Sequence, residues 1–126
     1  MFHAQSVLYV EDEPLIRELT AEVLREAGFD VVVAENGDAA IAALGDDADP
    51  FRAVVTDVNL GAGPDGWQVA KRARELNHAL PVVYISGTSA HEWQSKGVPA
   101  GVMITKPYSP ERIVIVISSL LRIDGR

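Results

Sequence analysis

Five residues of this 126-residue chain are suited to chemistry, and each follows directly on a short apolar run. They are Glu11, Asp12, Asp57, Ser86 and Lys106. A run that is rich in β-branched residues and then stops at a polar side chain is typical of a buried strand and its exit. In α/β proteins the exits of parallel strands lie at one edge of the sheet, where ligands bind. The pattern therefore predicts three carboxylates, a hydroxyl and an ammonium group at one edge.

Such a cluster of carboxylates needs a positive charge. Two like charges about 4 Å apart repel each other by about 4 kcal/mol at an effective dielectric constant of 20. Oxygen ligands in a partly hydrated site favour Mg²⁺, with Mn²⁺ as the alternative ion. A carboxylate beside such an ion can attack a phosphoryl group and form an aspartyl-phosphate. Asp57 is the candidate nucleophile, Asp12 the main metal ligand, and Glu11 a second ligand or one that acts through water.

The elements that position these residues follow from the spacing of apolar side chains. The pattern predicts strands over 6–10, 31–34, a third run ending at Asp57, 81–85 and 101–105. It predicts helices over 14–28, 39–44, 66–76, 90–96 and 110–121, with an acidic loop at 45–49. Asp12 is an expected helix cap before Pro14. Regular alternation of strand and helix predicts one α/β domain with a parallel sheet covered on both faces.

Composition narrows the classes of function. The formal net charge is −7, which argues against nucleic acid or an anionic membrane as the partner. The chain has no cysteine, so a disulfide framework, a thiol nucleophile and a cysteine-ligated metal are excluded. No apolar run approaches the ~20 residues that a membrane span needs, and the first residues do not resemble a signal peptide. We therefore expect a cytoplasmic protein.

Four short motifs in order carry a family resemblance. They are Val10-Glu11-Asp12-Glu13-Pro14, Val55-Thr56-Asp57, Ser86-Gly87 and Lys106-Pro107-Tyr108. Together they resemble the receiver domain of two-component response regulators, and the single-domain chemotaxis receivers in particular. The resemblance implies a (βα)5 doubly wound parallel sheet of flavodoxin-like topology, with strand order 2-1-3-4-5. It also implies a single receiver domain over residues 1–126 with no output domain.

The resemblance also assigns roles to residues of this chain. It implies that Asp57 is the phosphoacceptor, which takes a phosphoryl group from the phosphohistidine of a histidine kinase or histidine phosphotransfer protein. Ser86 would follow the phosphoryl group, and Lys106 would pair with it. The implied metal site consists of Glu11, Asp12, Asp57 and the backbone carbonyl of Asn59. The peptide bond between Lys106 and Pro107 resembles one that is cis in this family.

The residues that would read out phosphorylation depart from the family pattern. The aromatic switch position of many receivers falls on Met103, and Tyr84 or Tyr108 would have to substitute for it. Positions that tune the lifetime of the phosphoryl group fall on Asn59 and Thr88. The loop after Asn59, residues 60–64, is about one residue longer than is usual, and we expect it to be more mobile.

The last predicted helix has an apolar side chain in an unexpected place. Its core-facing stripe is expected to be Ile113, Val116, Ile117 and Leu120. Ile115 falls nearly opposite that stripe and should be exposed, although it is aliphatic. An exposed aliphatic residue suggests a protein partner or a homodimer formed through this helix, whereas the alternative is a mildly apolar surface helix.

Four functions remain in competition. The first is a signalling module, not an enzyme, that is switched by phosphorylation in a two-component phosphorelay and acts on a downstream protein target. The second is a Mg²⁺-dependent phosphohydrolase, because Asp57-x-Asn59 is similar to the Asp-x-Asp motif of aspartate-nucleophile phosphatases. A nucleotide-binding domain is disfavoured, because Glu11, Asp12 and Glu13 stand where a glycine-rich phosphate loop is needed. A receiver-like interaction module without phosphorylation is the fourth.

Overall fold

The structure is a computed structural model that describes residues 5–46, 48 and 50–125, with the backbone alone for Gln5 and residues 122–125. Asp47 and Asp49 of the predicted acidic loop lie outside the described residues. The strands are β1 (Gln5–Val10), β2 (Phe29–Ala34), β3 (Phe51–Asp57), β4 (Val82–Ser86) and β5 (Val102–Thr105). The helices are α1 (Pro14–Glu26), α2 (Gly37–Leu44), α3 (Gly66–Leu76), α4 (Trp93–Lys96) and α5 (Pro110–Gly125), with a short 3₁₀ turn at Ala90–Glu92.

The five strands form one parallel sheet in the order β2-β1-β3-β4-β5. This confirms the predicted fold class and strand order. The central strands β1 and β3 are paired so that Val10 lies beside Thr56. Because Glu11 and Asp57 each follow that pair, they leave the sheet at the same level. Asp57 and Ser86 end neighbouring strands, as Ser86 and Thr105 do.

Alternate residues of each central strand serve two separate cores. Val7 and Tyr9 of β1 face one core, which α1 and α5 cover, whereas Leu8 and Val10 face the core beneath α2 and α3. Side chains of successive strand residues point to opposite faces of a sheet, so a strand buried on both faces must be apolar throughout. Glu11 lies two residues after Tyr9, so its side chain points to the same face of the sheet. It therefore stands on the α1 and α5 side of the edge.

Helix α1 differs from its sequence pattern. Leu15, Ile16, Leu19, Val23 and Leu24 recur at helical spacing, yet the exposed fractions of the first three are 71, 38 and 59%. The residues that α1 buries are Thr20, Ala21 and Leu24. The periodicity thus marks a helix correctly and includes the buried Leu24, but the side that packs lies further round the helix, where Thr20 and Ala21 are buried. The expected cap was wrong: Glu13 is the N-cap residue and makes no side-chain cap hydrogen bond, so Asp12 has no capping role.

The last two helices also differ in detail from the helices that the sequence predicted. The predicted fourth helix is a 3₁₀ turn followed by the single turn of α4, and neither buries a residue. Among the described side chains of α5, Ile113, Ile117 and Leu121 are buried, so the core stripe advances by four residues. Leu121 therefore belongs to the stripe, whereas Val116 and Leu120 of the expected stripe are only partly buried.

A close backbone approach fixes the exit of β3. Gly66, the first residue of α3, donates its backbone N–H to the carbonyl of Val58 at 2.8 Å. A Cβ atom at this position would overlap the carbonyl oxygen of Asp57 and lie 2.7 Å from the Cα of Val58. Asp65 caps the helix through a reciprocal pair of hydrogen bonds with Gln68. The start of α3 therefore packs directly on the backbone that carries Asp57.

Candidate functional site

The exit of β1 supplies two carboxylates in different environments. Glu11 is buried, whereas Asp12 is exposed. One carboxylate oxygen of Glu11, Oε2, accepts the backbone N–H of Glu13 at 3.1 Å. Arg17, one turn into α1, donates to the Glu11 carbonyl at 2.9 Å. Hydrogen bonds from residues at the start of α1 thus hold both the backbone and the side chain of Glu11. The sequence pattern did not reveal these contacts.

Asp57 lies at the centre of the site and is 2% exposed. Its Oδ2 accepts a hydrogen bond from Lys106 Nζ at 2.7 Å, and its Oδ1 accepts the backbone N–H of Asn59 at 3.2 Å. The side chain of Lys106 is about one-third exposed, whereas that of Asp57 is buried. Burial opposes the charge of Lys106, but the hydrogen bond and the charge of Asp57 outweigh burial and raise the pKa of the lysine. Lys106 is therefore charged at neutral pH.

The structure brings the three predicted carboxylates together. One oxygen from each of Glu11, Asp12 and Asp57 lies within 4.8 Å of the others. Burial, together with the negative charge of Asp57, raises the pKa of Glu11 to about 7. Its Oε1 atom is buried and has no hydrogen-bond partner among the residues that the structure describes. A buried carboxylate oxygen without a partner is costly unless it binds a proton or a cation.

These carboxylates fit a hard divalent cation. Three carboxylate oxygens at an edge where Asp12 is exposed match the ligand preference of Mg²⁺. The orphaned Oε1 of Glu11 is the observation that supports this fit, because a cation would satisfy it. Lys106 alone leaves the cluster with three carboxylates against one ammonium group. The residues present are therefore suited to such an ion.

The exits of β4 and β5 bring the predicted hydroxyl to the same edge. Ser86 is fully buried, and its Oγ accepts the backbone N–H of Ser89 at 2.9 Å. Its carbonyl oxygen accepts the backbone N–H of Lys106 at 3.0 Å, which ties the two strand exits together. The peptide bond between Lys106 and Pro107 is cis, as the resemblance implied. Ser86 and Lys106 thus lie on the two strands that succeed Asp57 in the sheet.

The two residues predicted to tune phosphoryl lifetime face each other. The side-chain amide of Asn59 donates to the Thr88 hydroxyl at 3.3 Å, and both residues lie at the exposed mouth of the site. The loop that joins Asn59 to α3 turns through Gly61 and Gly63, which both have positive φ. Gly63 lies beside Asp38 at the start of α2. The predicted mobility of this loop stays a prediction.

The candidate switch residues belong to two different clusters. Met103 is paired with Tyr84 across β4 and β5 and packs in a core with Trp67 and Val98. The ring centroids of Tyr84 and Trp67 lie 4.7 Å apart, so Trp67 is a packing residue. The Tyr84 hydroxyl accepts the backbone N–H of Val98 at 3.0 Å. Tyr108 instead packs against the core beneath α1 and α5.

A groove beside the site was not predicted from the sequence. It has a volume of about 500 Å³ and runs from Lys106 and Pro107 along α1. Its lining is mainly apolar and consists of Ile16, Leu19, Thr20, Lys106, Pro107, Tyr108 and Pro110. The exposed aliphatic side chains of α1 form one wall of this groove. The sequence does not reveal the groove, because the exposure of Ile16 and Leu19 follows only from the way α1 packs.

The sequence and the fold were then compared with known proteins. The family model of the response regulator receiver domain matches residues 7–118. The probable transcriptional regulatory protein TcrX of Mycobacterium tuberculosis is 36% identical over 124 residues, which are 95% of this chain and 51% of TcrX. The phosphate regulon transcriptional regulatory protein PhoB of Escherichia coli is 32% identical over 123 residues, which are 94% of this chain and 52% of PhoB.

Solved structures are similar over nearly the full chain. A response regulator receiver protein from Sinorhizobium medicae superposes with a TM-score of 0.90 at 38% identity, and 95% of this chain and 96% of that chain are covered. The chemotaxis protein CheY4 of Vibrio cholerae superposes with a TM-score of 0.82 at 25% identity, with 94 and 100% covered. The first of these is also similar in length to this chain.

The chain belongs to the response regulator receiver domain family of two-component systems. Receiver domains are signalling modules rather than enzymes in the usual sense, and they interact with histidine kinases and downstream effectors. The acidic cluster is of the kind at which receiver domains bind Mg²⁺. The chain spans about half the length of the curated relatives it matches. No helix in the described part of the chain is long and apolar enough to cross a membrane.

Proposed function

We propose that Asp57 is the phosphoacceptor of a two-component phosphorelay, and that the phosphorylated chain signals through contacts with a protein target. The observation that carries this proposal is the 2.7 Å contact between Lys106 Nζ and Asp57 Oδ2, beside a cluster of two further carboxylates. A buried carboxylate with a cation on one side and metal ligands on the other is arranged for phosphoryl transfer. Positioning and charge neutralisation are the main contributions that this reaction needs.

The proposed step is a displacement at phosphorus. An oxygen of the Asp57 carboxylate forms the new O–P bond, and the P–N bond to the imidazole of a phosphohistidine breaks. The electron pair of that bond stays on the imidazole nitrogen, which takes a proton. Lys106 neutralises charge on the transferred group, and the Ser86 hydroxyl lies on the adjacent strand exit to donate to it. Water later cleaves the acyl phosphate and restores Asp57.

The proposed Mg²⁺ ligands are Glu11, Asp12, Asp57 and the backbone carbonyl of Asn59. When bound, the ion would neutralise charge on the phosphoryl oxygens during transfer. Asp12 is exposed and makes no helix-capping bond, so its carboxylate is available. Glu11 is held in place by the backbone N–H of Glu13 and would supply its free oxygen, directly or through water.

The test is phosphorylation of the purified chain by acetyl phosphate, followed by intact-mass measurement. We expect one added phosphoryl group in the presence of Mg²⁺ and none in EDTA. Asp57→Asn should abolish the added mass, and Lys106→Met should reduce it strongly, because each removes a partner in the same contact. Arg72→Met, which disrupts an exposed ion pair with Glu75, is the matched control and should label like wild type. Labelling that persists in Asp57→Asn would exclude this residue as the acceptor.

The same experiment separates the alternatives. A phosphohydrolase would turn over many equivalents of a phosphate ester, whereas the proposed receiver adds one phosphoryl group and then releases it slowly. Asn59 occupies the position at which such hydrolases need a second aspartate as general acid, and an amide cannot supply a proton in this way. An interaction module without phosphorylation would bind Mg²⁺ and gain no mass.

We further propose that the phosphodonor protein docks on the groove beside the site. A donor must bring its phosphohistidine to Asp57, so its surface must cover the residues next to Lys106. The surface next to Lys106 consists of the apolar groove and of the exposed side chains of Leu15, Ile16 and Leu19. With these side chains, the surface that the donor protein would cover extends from Asp57 along α1. The proposed docking surface is therefore continuous with the site.

The docking surface is tested by comparing two kinds of donor. Leu19→Ser should slow transfer from autophosphorylated sensor kinases at least tenfold, because an apolar contact is lost. It should leave labelling by acetyl phosphate unchanged, because the small donor does not use the groove. Ile115→Ser, an equally apolar exposed position on α5, is the control and should not slow transfer. Equal transfer to Leu19→Ser and wild type would place the donor elsewhere.

A further inference from the structure

Arg17 is not one of the clustered polar residues, yet it contacts the backbone between two of the carboxylates. Its guanidinium Nη1 donates to the carbonyl oxygen of Glu11 at 2.9 Å. Strand β1 ends at Val10, so this carbonyl lies beyond the part of the strand that pairs with β2 and β3. A hydrogen bond from a charged donor is stronger than a neutral one. Arg17 thus supplies a strong donor just beyond the paired part of the strand.

The carbonyl that Arg17 contacts belongs to the peptide bond that joins Glu11 to Asp12. Because a peptide bond is planar, a fixed carbonyl also fixes the direction in which the chain enters Asp12. Asp12 is exposed and makes no helix-capping bond, so packing does not hold its side chain. The orientation of this peptide therefore decides where the Asp12 carboxylate can lie.

Two further hydrogen bonds hold the same turn, and both hold Glu11 itself. Its backbone N–H donates to the carbonyl of Ala34 at 3.0 Å, and its Oε2 accepts the backbone N–H of Glu13 at 3.1 Å. The contact with Arg17 instead holds the peptide that leads on to Asp12. An oxygen of Glu11 and one of Asp12 lie within 4.8 Å of each other, and a rotation of this peptide would change that distance.

We propose that Arg17 is a positioning residue of the cation site, and that its hydrogen bond orients the peptide between Glu11 and Asp12 so that both carboxylates can share one divalent cation. The inference rests on the proposed function, because it takes the acidic cluster to be the Mg²⁺ site. Arg17 acts through Glu11 rather than on the cation or the phosphoryl group. Removal of a group that orients metal ligands typically weakens metal binding by about tenfold to a hundredfold.

Arg25 provides a matched control for Arg17. It lies about two turns further along α1, where its Nη2 donates to the carbonyl of Val31 at 3.2 Å. Both arginines line a hollow of about 440 Å³ between α1 and Val33 of β2. They make the same kind of contact from the same helix, but the carbonyl of Val31 lies in the middle of β2 rather than at the reacting edge.

The experiment is calorimetric titration of the full chain and its variants with MgCl₂. Arg17→Met should raise the dissociation constant for Mg²⁺ by about tenfold or more, whereas Arg25→Met should leave it within about twofold of wild type. Arg17→Lys should recover part of the loss, because an ammonium group can still donate to the Glu11 carbonyl. Melting temperatures in EDTA should fall by similar amounts in the two methionine variants. Wild-type affinity in Arg17→Met, or equal weakening in both methionine variants, would overturn the proposal.

Labelling by acetyl phosphate separates this inference from the proposed function. Arg17→Met should need about tenfold more Mg²⁺ for half its maximal rate and should reach the wild-type rate at saturating Mg²⁺. A lower rate at saturation with an unchanged Mg²⁺ requirement would overturn the positioning role while the phosphoacceptor stands. If wild type binds Mg²⁺ but gains no mass, the phosphoacceptor is wrong, and the titration still decides the role of Arg17. If wild type does not bind Mg²⁺, the proposed metal site and this inference are both wrong.

Discussion

The two ends of the sheet edge are built differently. At the exits of β1 and β3 the strands are six and seven residues long and almost wholly buried, and α3 packs on the backbone of Asp57. Between Gly87 and Thr105 the chain forms a four-residue helix that buries no residue and a four-residue strand in which Ile104 alone is buried. The carboxylates therefore lie on a rigid part of the fold, whereas the expected switch lies on a sparsely packed part.

This contrast indicates how a small chemical change could be transmitted. A site that must hold several charges in place requires a support that does not move. A segment with few buried contacts opens or shifts at a low cost in free energy, which is suited to a response. Tyr84 stands between the two regions, since its ring packs on Trp67 and its hydroxyl holds Val98.

The largest effect at the site edge should come from the backbone contact beneath Asp57. In Gly66→Ala the new methyl group would overlap the Asp57 carbonyl, which cannot move without displacing β3. We expect a loss of about 3 kcal/mol in the free energy of unfolding, as for severe overpacking. Urea unfolding followed by circular dichroism measures it.

Gly87→Ala is the control for that change. A Cβ atom there would lie 3.6 Å from the Cβ of Lys106, an ordinary contact. Its effect on the free energy of unfolding should stay within about 0.5 kcal/mol. Equal losses in the free energy of unfolding would show that the exits of β3 and β4 tolerate crowding equally, which would contradict the difference in packing between the two regions.

Glu11 should make the stability of the folded protein depend on pH, and this effect should be of intermediate size. Its pKa is raised from 4.5 to about 7 in the folded, metal-free protein. The folded state therefore binds more protons than the unfolded state in this range, and the contribution of Glu11 to stability is present at pH below about 4.5. It is lost as the pH rises through about 7. Thermal unfolding in EDTA should show a melting temperature that falls over this range.

Two controls assign that slope to Glu11. Glu11→Gln should flatten the pH dependence, because the amide does not titrate. Mg²⁺ should raise the melting temperature of wild type more at pH 8 than at pH 5, because metal binding requires the deprotonated carboxylate. A Mg²⁺ effect that is larger at pH 5 would contradict the assignment of Glu11 to the metal site.

The smallest effect on stability should be that of Ile115→Ser. Ile115 is 64% exposed, as the sequence predicted, so the free energy of unfolding of the monomer should change by less than about 0.5 kcal/mol. Ile113→Ser, two residues away and fully buried, should cost about 2–5 kcal/mol. If α5 mediates self-association, light scattering should show a dimer of phosphorylated wild type that Ile115→Ser lacks. A monomer under all conditions would remove the predicted homodimer.

Much of the fold and of the reacting edge could be predicted from the sequence, because both depend on local order along the chain. Runs of β-branched residues marked the strands, and the polar residue after each run marked its exit. Once parallel pairing is inferred, Glu11, Asp12, Asp57, Ser86 and Lys106 must share an edge, whatever the details of packing. The family resemblance added the strand order, the cis peptide bond and the assignment of roles.

Other features depend on which side of an element meets its neighbours. The spacing of Leu15, Ile16, Leu19 and Leu24 marked a helix and included the buried Leu24. Only packing decided that Ala21 faces the sheet and that Leu15, Ile16 and Leu19 face solvent. The cap of α1 depended on local backbone geometry rather than on residue type.

The sequence by itself thus determined the kinds of element, their order and which polar residues lie at the shared edge, because these follow from periodicity and from residue type. Only the tertiary structure decided the exposed wall of the groove and the raised pKa of Glu11. These depend on distances between residues that are far apart in the chain, and such distances are set by packing.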